Sequence, residues 1–214
     1  MCSSDLFLVE HRGQKSAPRV LTIAEALKEK ALGKPKPAPP TGPYIRTVVA
    51  LDLATGREIW ARDHDLTLCG NWTSSLCLSA KNGVVLLAGV YNAYGPAKGD
   101  ENLRRALALS AADGSALWNE AIGNRVRPVL VGDRIIGRPR AHDLRTGAPA
   151  TRAGPKGAIP WSIPANGACG QMSASAGMLC YRDGYTLMRD ALSGSALMYF
   201  TGIRPGCLIN IVPA

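Results

Sequence analysis

ALDLATGREIW, from Ala50 to Trp60, decides the fold, because weaker copies of it recur down the chain. ALSAADGSALW (Ala108 to Trp118) is the second copy. AHDLRTGAPAT (Ala141 to Thr151) keeps the first seven positions and lacks the Trp, while MRDALSGSALM (Met188 to Met198) has Met in its place. Such self-similarity is the sequence signature of a repeat architecture. Each copy reads as two short strands around a turn: apolar residues lead in, a polar cluster closes on Gly56, Gly114, Gly147 or Gly194, and apolar residues lead out. Glycine tolerates the positive φ such a turn needs. Four residues earlier sit Asp52, Ser110, Asp143 and Asp190, whose short side chains can accept backbone N–H bonds and fix the turn. Trp60 and Trp118 follow four residues after the glycine, on a strand whose apolar face needs a cover. A neighbouring copy of the unit is the obvious one.

The pattern A-x-D-x-x-x-G-x-x-x-W resembles the tryptophan-docking repeat of PQQ-type β-propellers, the group that includes quinoprotein alcohol dehydrogenases and outer-membrane assembly scaffolds. Ala50, Asp52, Gly56 and Trp60 match it in full. Ala108, Gly114 and Trp118 match with Ser110 in place of the acid, and the last two copies are degenerate. The resemblance implies an all-β fold of four-stranded antiparallel blades, with Trp60 and Trp118 docking between neighbours. It speaks to architecture more than to chemistry.

The remaining segments fall into place around these copies. Tyr44 to Leu53 and Arg57 to Arg62 form the first strand pair. VVLLAGVY, Val84 to Tyr91, is a continuous apolar run of the kind found in a buried strand, after a turn at Lys81-Asn82-Gly83. VRPVLV, a Gly132-Asp133 turn and RIIG lead into the third copy, and a Pro- and Gly-rich connection from Gly154 to Gly167, containing Trp161, follows it. SASAGMLCYRDG leads into the fourth, and another unit begins at Ile203. Three to four blades are too few for a ring of the usual four to eight. The expected architecture is therefore a partial propeller, an incomplete domain over 7–214 whose remaining blades lie outside this chain. Within it, 15–43 reads as an insertion. Thr22 and Glu25 form a capping box for a short helix with Ala24, Leu27 and Ala31 on one face, ended by Gly33 and an extended KPKPAPP linker. Residues 1–6, MCSSDL, are what the end of a common sequencing adaptor, GTG-TGC-TCT-TCC-GAT-CT, encodes when GTG is read as a start. They are expected to be a scar, excluded from the fold.

Composition bounds the function. The 214 residues are 46% hydrophobic and 19% charged, with 23 glycines and 15 prolines, as many short strands joined by turns require. No run of eighteen apolar residues marks a membrane-spanning helix. Apart from Cys2, the cysteines are Cys69, Cys77, Cys169, Cys180 and Cys207; none forms C-x-x-C or an adjacent pair, so neither a zinc ribbon nor c-type haem is supported. They suit buried small hydrophobes or partial disulfides. His11, His64 and His142 are isolated, and G-x-S-x-G and phosphate-loop patterns are absent. The net charge of +9 includes seven arginines between Arg125 and Arg152, with no aromatic residue interleaved, which suits a solvated blade edge better than a nucleic-acid surface.

A second, subtler repeat marks alternate units. CGNWTSS at Cys69 recurs as CGQMSAS at Cys169, and VRP at Val126 recurs as IRP at Ile203. VRPVLVGD, AHDLRTG, the CG-x-x-SAS segment and GIRPGCLINIVPA together resemble a subgroup of bacterial PQQ-like repeat proteins. Both short motifs precede a unit's first strand, which in a propeller lines the central channel. Arg127 and Arg204 would then stand near one channel mouth with Cys69, Cys169 and Cys207 nearby, able to hold a carboxylate or another oxyanion. The same residues could instead serve the packing of the repeat. The expectation is a non-catalytic binding or scaffolding module of an exported, periplasmic protein, with a protein or an anionic small molecule as partner and no metal. A PQQ-dependent dehydrogenase using PQQ and Ca²⁺ is the alternative.

Overall fold

The computed structural model describes residues 5–10, 43–69, 76–89, 104–124, 126–164 and 171–204, and all regular structure among them is β. The helix expected at Thr22 and the insertion over 15–43 lie almost wholly outside the described residues.

The first sheet contains β1 (Asp5–Glu10), β2 (Ile45–Asp52) and β3 (Glu58–Asp65), paired antiparallel in that order. The second is β4 (Leu76–Lys81), β5 (Val84–Gly89), β6 (Arg105–Ser110) and β7 (Ala116–Ala121), a four-stranded meander. The third has β8 (Val129–Val131), β9 (Arg134–Ile136) and β10 (Ala141–Asp143). A separate hairpin, β11 (Thr151–Gly154) with β12 (Gly157–Pro160), precedes the last meander of β13 (Ser173–Ala174), β14 (Met178–Asp183), β15 (Tyr185–Asp190) and β16 (Ala196–Phe200).

The apolar run in β5 has no alternation because both faces of its sheet are covered. Val85 and Leu87 pack with Val48, Ala50 and Trp60 of the first sheet. Val84, Leu86 and Ala88 point the other way and pack with Trp118, Ile135 and Leu144 towards the third. A third core, around Trp161, Ile136, Leu179 and Tyr181, joins the third sheet to the fourth. Successive residues of a strand point to opposite faces, so a sheet stacked between two others must be apolar throughout. These stacked antiparallel meanders are the blades of a partial β-propeller.

The third sheet differs from its neighbours in its outer strand. In the other three, that strand carries a one-residue bulge opposite the repeat: pairing shifts between Ala50 and Leu51, Ala108 and Leu109, and Met188 and Arg189. The residues left over are Ile59, Leu117 and Leu197, exposed on the blade rim at 48%, 46% and 58%. In the third sheet the corresponding residue is Ala150, and here the β11–β12 hairpin leaves the sheet. Pro149, which has no N–H to give the ladder, makes only an isolated bridge to His142. After the hairpin the strand resumes with a bridge between Arg140 and Ser162, the register that Ala50–Trp60 and Ala108–Trp118 have in their own sheets. Trp161 N donates to Ala150 O at 2.9 Å, closing the hairpin at its base.

Candidate functional site

The repeated turns are built alike. The backbone N–H of Gly56, Gly114, Gly147 and Gly194 donates to the carbonyl four residues earlier at 2.8–2.9 Å, and each glycine has φ between +69° and +73°. The leading side chain then caps the turn. Asp52 Oδ1 accepts from Thr55 N and Oγ1, both at 2.7 Å. Asp143 Oδ1 accepts from Arg145 N at 3.0 Å and from Thr146 N and Oγ1 at 2.8 Å. Asp190 Oδ1 accepts from Ser193 N at 2.6 Å and Ser193 Oγ at 2.8 Å. These bonds, led at Asp190 by that from Ser193 N, hold its carboxyl below its usual range. In the second copy, where Ser110 replaces the acid, Asp113 takes over and accepts from Ser115 N at 3.1 Å and Ser115 Oγ at 2.8 Å.

The second, third and fourth turns also receive an indole, each from the preceding blade. The Nε1–H of Trp60 donates to Ala111 O at 3.0 Å, and a Cβ built on Gly114 would lie 2.6 Å from Trp60 Cε3. Trp118 repeats the geometry one blade on, donating to Leu144 O at 3.0 Å, with its ring 2.9 Å from where a Gly147 Cβ would be. So the turn glycines have two reasons to lack a side chain: the backbone conformation, and the ring lying on them. The fourth turn is met by Trp161, whose Cε2 lies 3.5 Å from a Cβ built on Gly194. From the sequence alone this residue falls in a connection, and the indole position of the third copy reads as vacant at Thr151. The available signal was the resumption of the motif with Trp161 after a ten-residue hairpin. Trp161 is 1% exposed and its Nε1 has no hydrogen-bond partner among the described residues, unlike Nε1 of Trp60 and Trp118.

The arginine cluster fastens blades to one another. Arg134 Nη1 donates to Leu192 O in the fourth blade at 3.0 Å, and Arg145 Nη2 donates to Asn82 O in the second at 2.9 Å. Asn82 in turn donates to Asp133 Oδ1 at 2.6 Å. Arg138 stacks over the Tyr181 ring, 4.8 Å from its centroid. Several charges read as a solvated edge thus reach carbonyls and rings across the blade boundaries.

Of the residues expected at a channel mouth, Arg127 is exposed just before β8, and its backbone N–H donates to Gln171 Oε1 at 3.1 Å. Gln171 stands just before β13, the first strand of the next blade, so this bond ties the two strand entries together. Arg204 is exposed. Cys69 is fully buried in the core between the first two blades, and burial pushes its thiol up to about 12. It is an uncharged packing group at neutral pH. Cys169 and Cys207 lie outside the described residues. The carboxylates of Asp52, Asp143 and Asp190 are occupied by their own turns, and among the described residues no three His, Cys, Asp or Glu side chains converge.

No protein-family model matches the chain, and no curated protein sequence matches it. Similar solved structures include BamB from Moraxella catarrhalis, at 16% identity and a TM-score of 0.44 over 71% of this chain and 41% of that one. Quinohemoprotein alcohol dehydrogenase from Comamonas testosteroni gives 15% and 0.45 over 74% and 32%. A europium-containing methanol dehydrogenase gives 16% and 0.42 over 71% and 37%. The chain spans less than half the length of each. The class is set by the blades and their docked indoles: a partial β-propeller. Among the described residues no helix is long and apolar enough to cross a membrane.

Proposed function

We propose that the chain is a non-catalytic, ligand- or protein-binding module of a propeller in an exported protein, with Arg127 as the anion-holding residue at the mouth in front of the inner strands. The observation that carries this reading is the placement of Arg127: its side chain is exposed while its backbone is pinned to the next blade by Gln171. A guanidinium on a fixed backbone suits a carboxylate, which it can meet with two parallel N–H bonds. Arg204, exposed beyond the fourth blade, is the proposed second contact. The turn acids are engaged in structure, which favours binding over catalysis.

Calorimetric titration with a dicarboxylate such as succinate, and separately with PQQ and Ca²⁺, tests the reading. Dicarboxylate binding that Arg127→Ala weakens about tenfold or more, the loss of roughly 1.4 kcal/mol, supports it. Stoichiometric, Ca²⁺-dependent PQQ uptake would replace it with the quinoprotein reading, and absence of dicarboxylate binding would remove the anion site.

A further inference from the structure

The second blade turns from β4 to β5 over two residues, Asn82 and Gly83, with Lys81 and Val84 paired across the turn. Both turn residues have positive φ, 52° and 76°, the conformation that makes Asn-Gly a favoured pair in a tight hairpin. Both are exposed, and a Cβ built on Gly83 would meet nothing within 4 Å. The turn is nevertheless tied to the third blade twice. Asn82 Nδ2 donates to Asp133 Oδ1, in the β8–β9 turn, at 2.6 Å, and Asn82 O accepts from Arg145 Nη2 at 2.9 Å.

An asparagine side chain followed by glycine is open to attack from the chain itself, because the attacking nitrogen belongs to a residue with no side chain in the way. We propose that Asn82 is a site of spontaneous deamidation whose rate Asp133 controls by holding the amide. Gly83 N forms a bond to Asn82 Cγ and gives its proton to solvent; the Cγ–Nδ2 bond breaks and Nδ2 leaves as ammonia. Water then opens the cyclic imide at either carbonyl, leaving aspartate or isoaspartate at position 82. The bond to Asp133 opposes the first step, since it must break before Nδ2 can leave and it restricts rotation of the amide towards Gly83 N.

The reaction acts on the joint between the second and third blades. In the product a carboxylate faces Asp133 where an N–H donor stood, and like charges at that spacing repel. In the isoaspartate form the main chain is also longer by one carbon, which a two-residue turn closed by Lys81 and Val84 takes up only by shifting its register. This goes beyond the binding reading and does not depend on what the channel mouth holds.

The test is peptide mapping by mass spectrometry of the full 214-residue chain aged in heavy-oxygen water at mildly alkaline pH. The isotope enters with the water that opens the imide, so it separates ageing from later handling. Label is expected at position 82 in the wild type, and about threefold faster or more in Asp133→Ala, the lower part of what one hydrogen bond is worth. Arg145→Ala loosens the same joint without releasing the amide and is expected to leave the rate as it was. Label in neither the wild type nor Asp133→Ala overturns the site. Equal rates in those two, or the same acceleration from Arg145→Ala, overturn the control by Asp133. Asn82→Asp reproduces the aspartate product and is expected to lower the urea midpoint, and adding Asp133→Asn, which exchanges donor and acceptor, to restore it. A midpoint that Asn82→Asp leaves unchanged, or a loss that Asp133→Asn does not relieve, overturns the effect on the joint.

Discussion

The tryptophans show how one side chain in three settings gives two different dependencies. Trp60 and Trp118 contribute a buried ring and one hydrogen bond each, whereas Trp161 contributes the ring alone. Trp60→Phe and Trp118→Phe therefore strand a carbonyl, and each should lose about 1 kcal/mol more than Trp161→Phe in urea denaturation. Equal losses at all three would show that the indole N–H bonds contribute nothing net. The turn glycines divide similarly. Gly56→Ala should cost only the strain of positive φ, about 1–2 kcal/mol. Gly147→Ala adds overlap with the Trp118 ring, typically a further 1–3 kcal/mol. The caps set an acid dependence. Asp190 is held below its ordinary value, so its contribution is complete above the unfolded carboxylate value of about 4 and is lost as pH falls through the lower folded value. The stability gap between the wild type and Asp190→Asn should be widest near neutral pH and close under acid, read from urea midpoints.

At the scale of elements, the β11–β12 hairpin is an insertion at a bulge. Strands of the other blades shed one residue at this point, and the third sheds a hairpin while keeping the register that follows. Removing residues 151–160 joins Ala150 directly to Trp161 and regenerates A-x-D-x-x-x-G-x-x-x-W. The shortened chain should fold and keep its thermal midpoint within a few degrees; loss of folding would mean that the hairpin, rather than the interrupted strand, positions Trp161. The four repeated turns were legible because each needs a particular residue type at a particular step. Trp161 was not, because a ten-residue excursion removes it from the spacing by which the motif is recognised. The sequence contains the PKG turn of that hairpin, but nothing local says that the strands on either side of it rejoin one outer strand.

Across the whole molecule, stability is divided among three inter-blade cores, so each blade is held by its neighbours more than by itself. The arginines that reach carbonyls across these boundaries belong to the same scale. Arg145→Ala, which removes the bond to Asn82 O between the second and third blades, should lower stability by about 1 kcal/mol or less because the group is exposed. Arg127→Ala should leave the urea midpoint nearly unchanged, and a large loss would transfer that residue from ligand holding to packing. By itself the sequence determined the all-β class, the place of every repeated turn and the apolar character of β5, since these follow from glycine conformation, short-range capping and the two-residue period of a strand. Only the tertiary structure decided that Trp161 completes the third docking contact, that Cys69 is core, and that Arg134 and Arg145 join blades. Arg134 and Arg145 reach carbonyls 58 and 63 residues away along the chain, and contacts at such separations are made by stacking of the sheets.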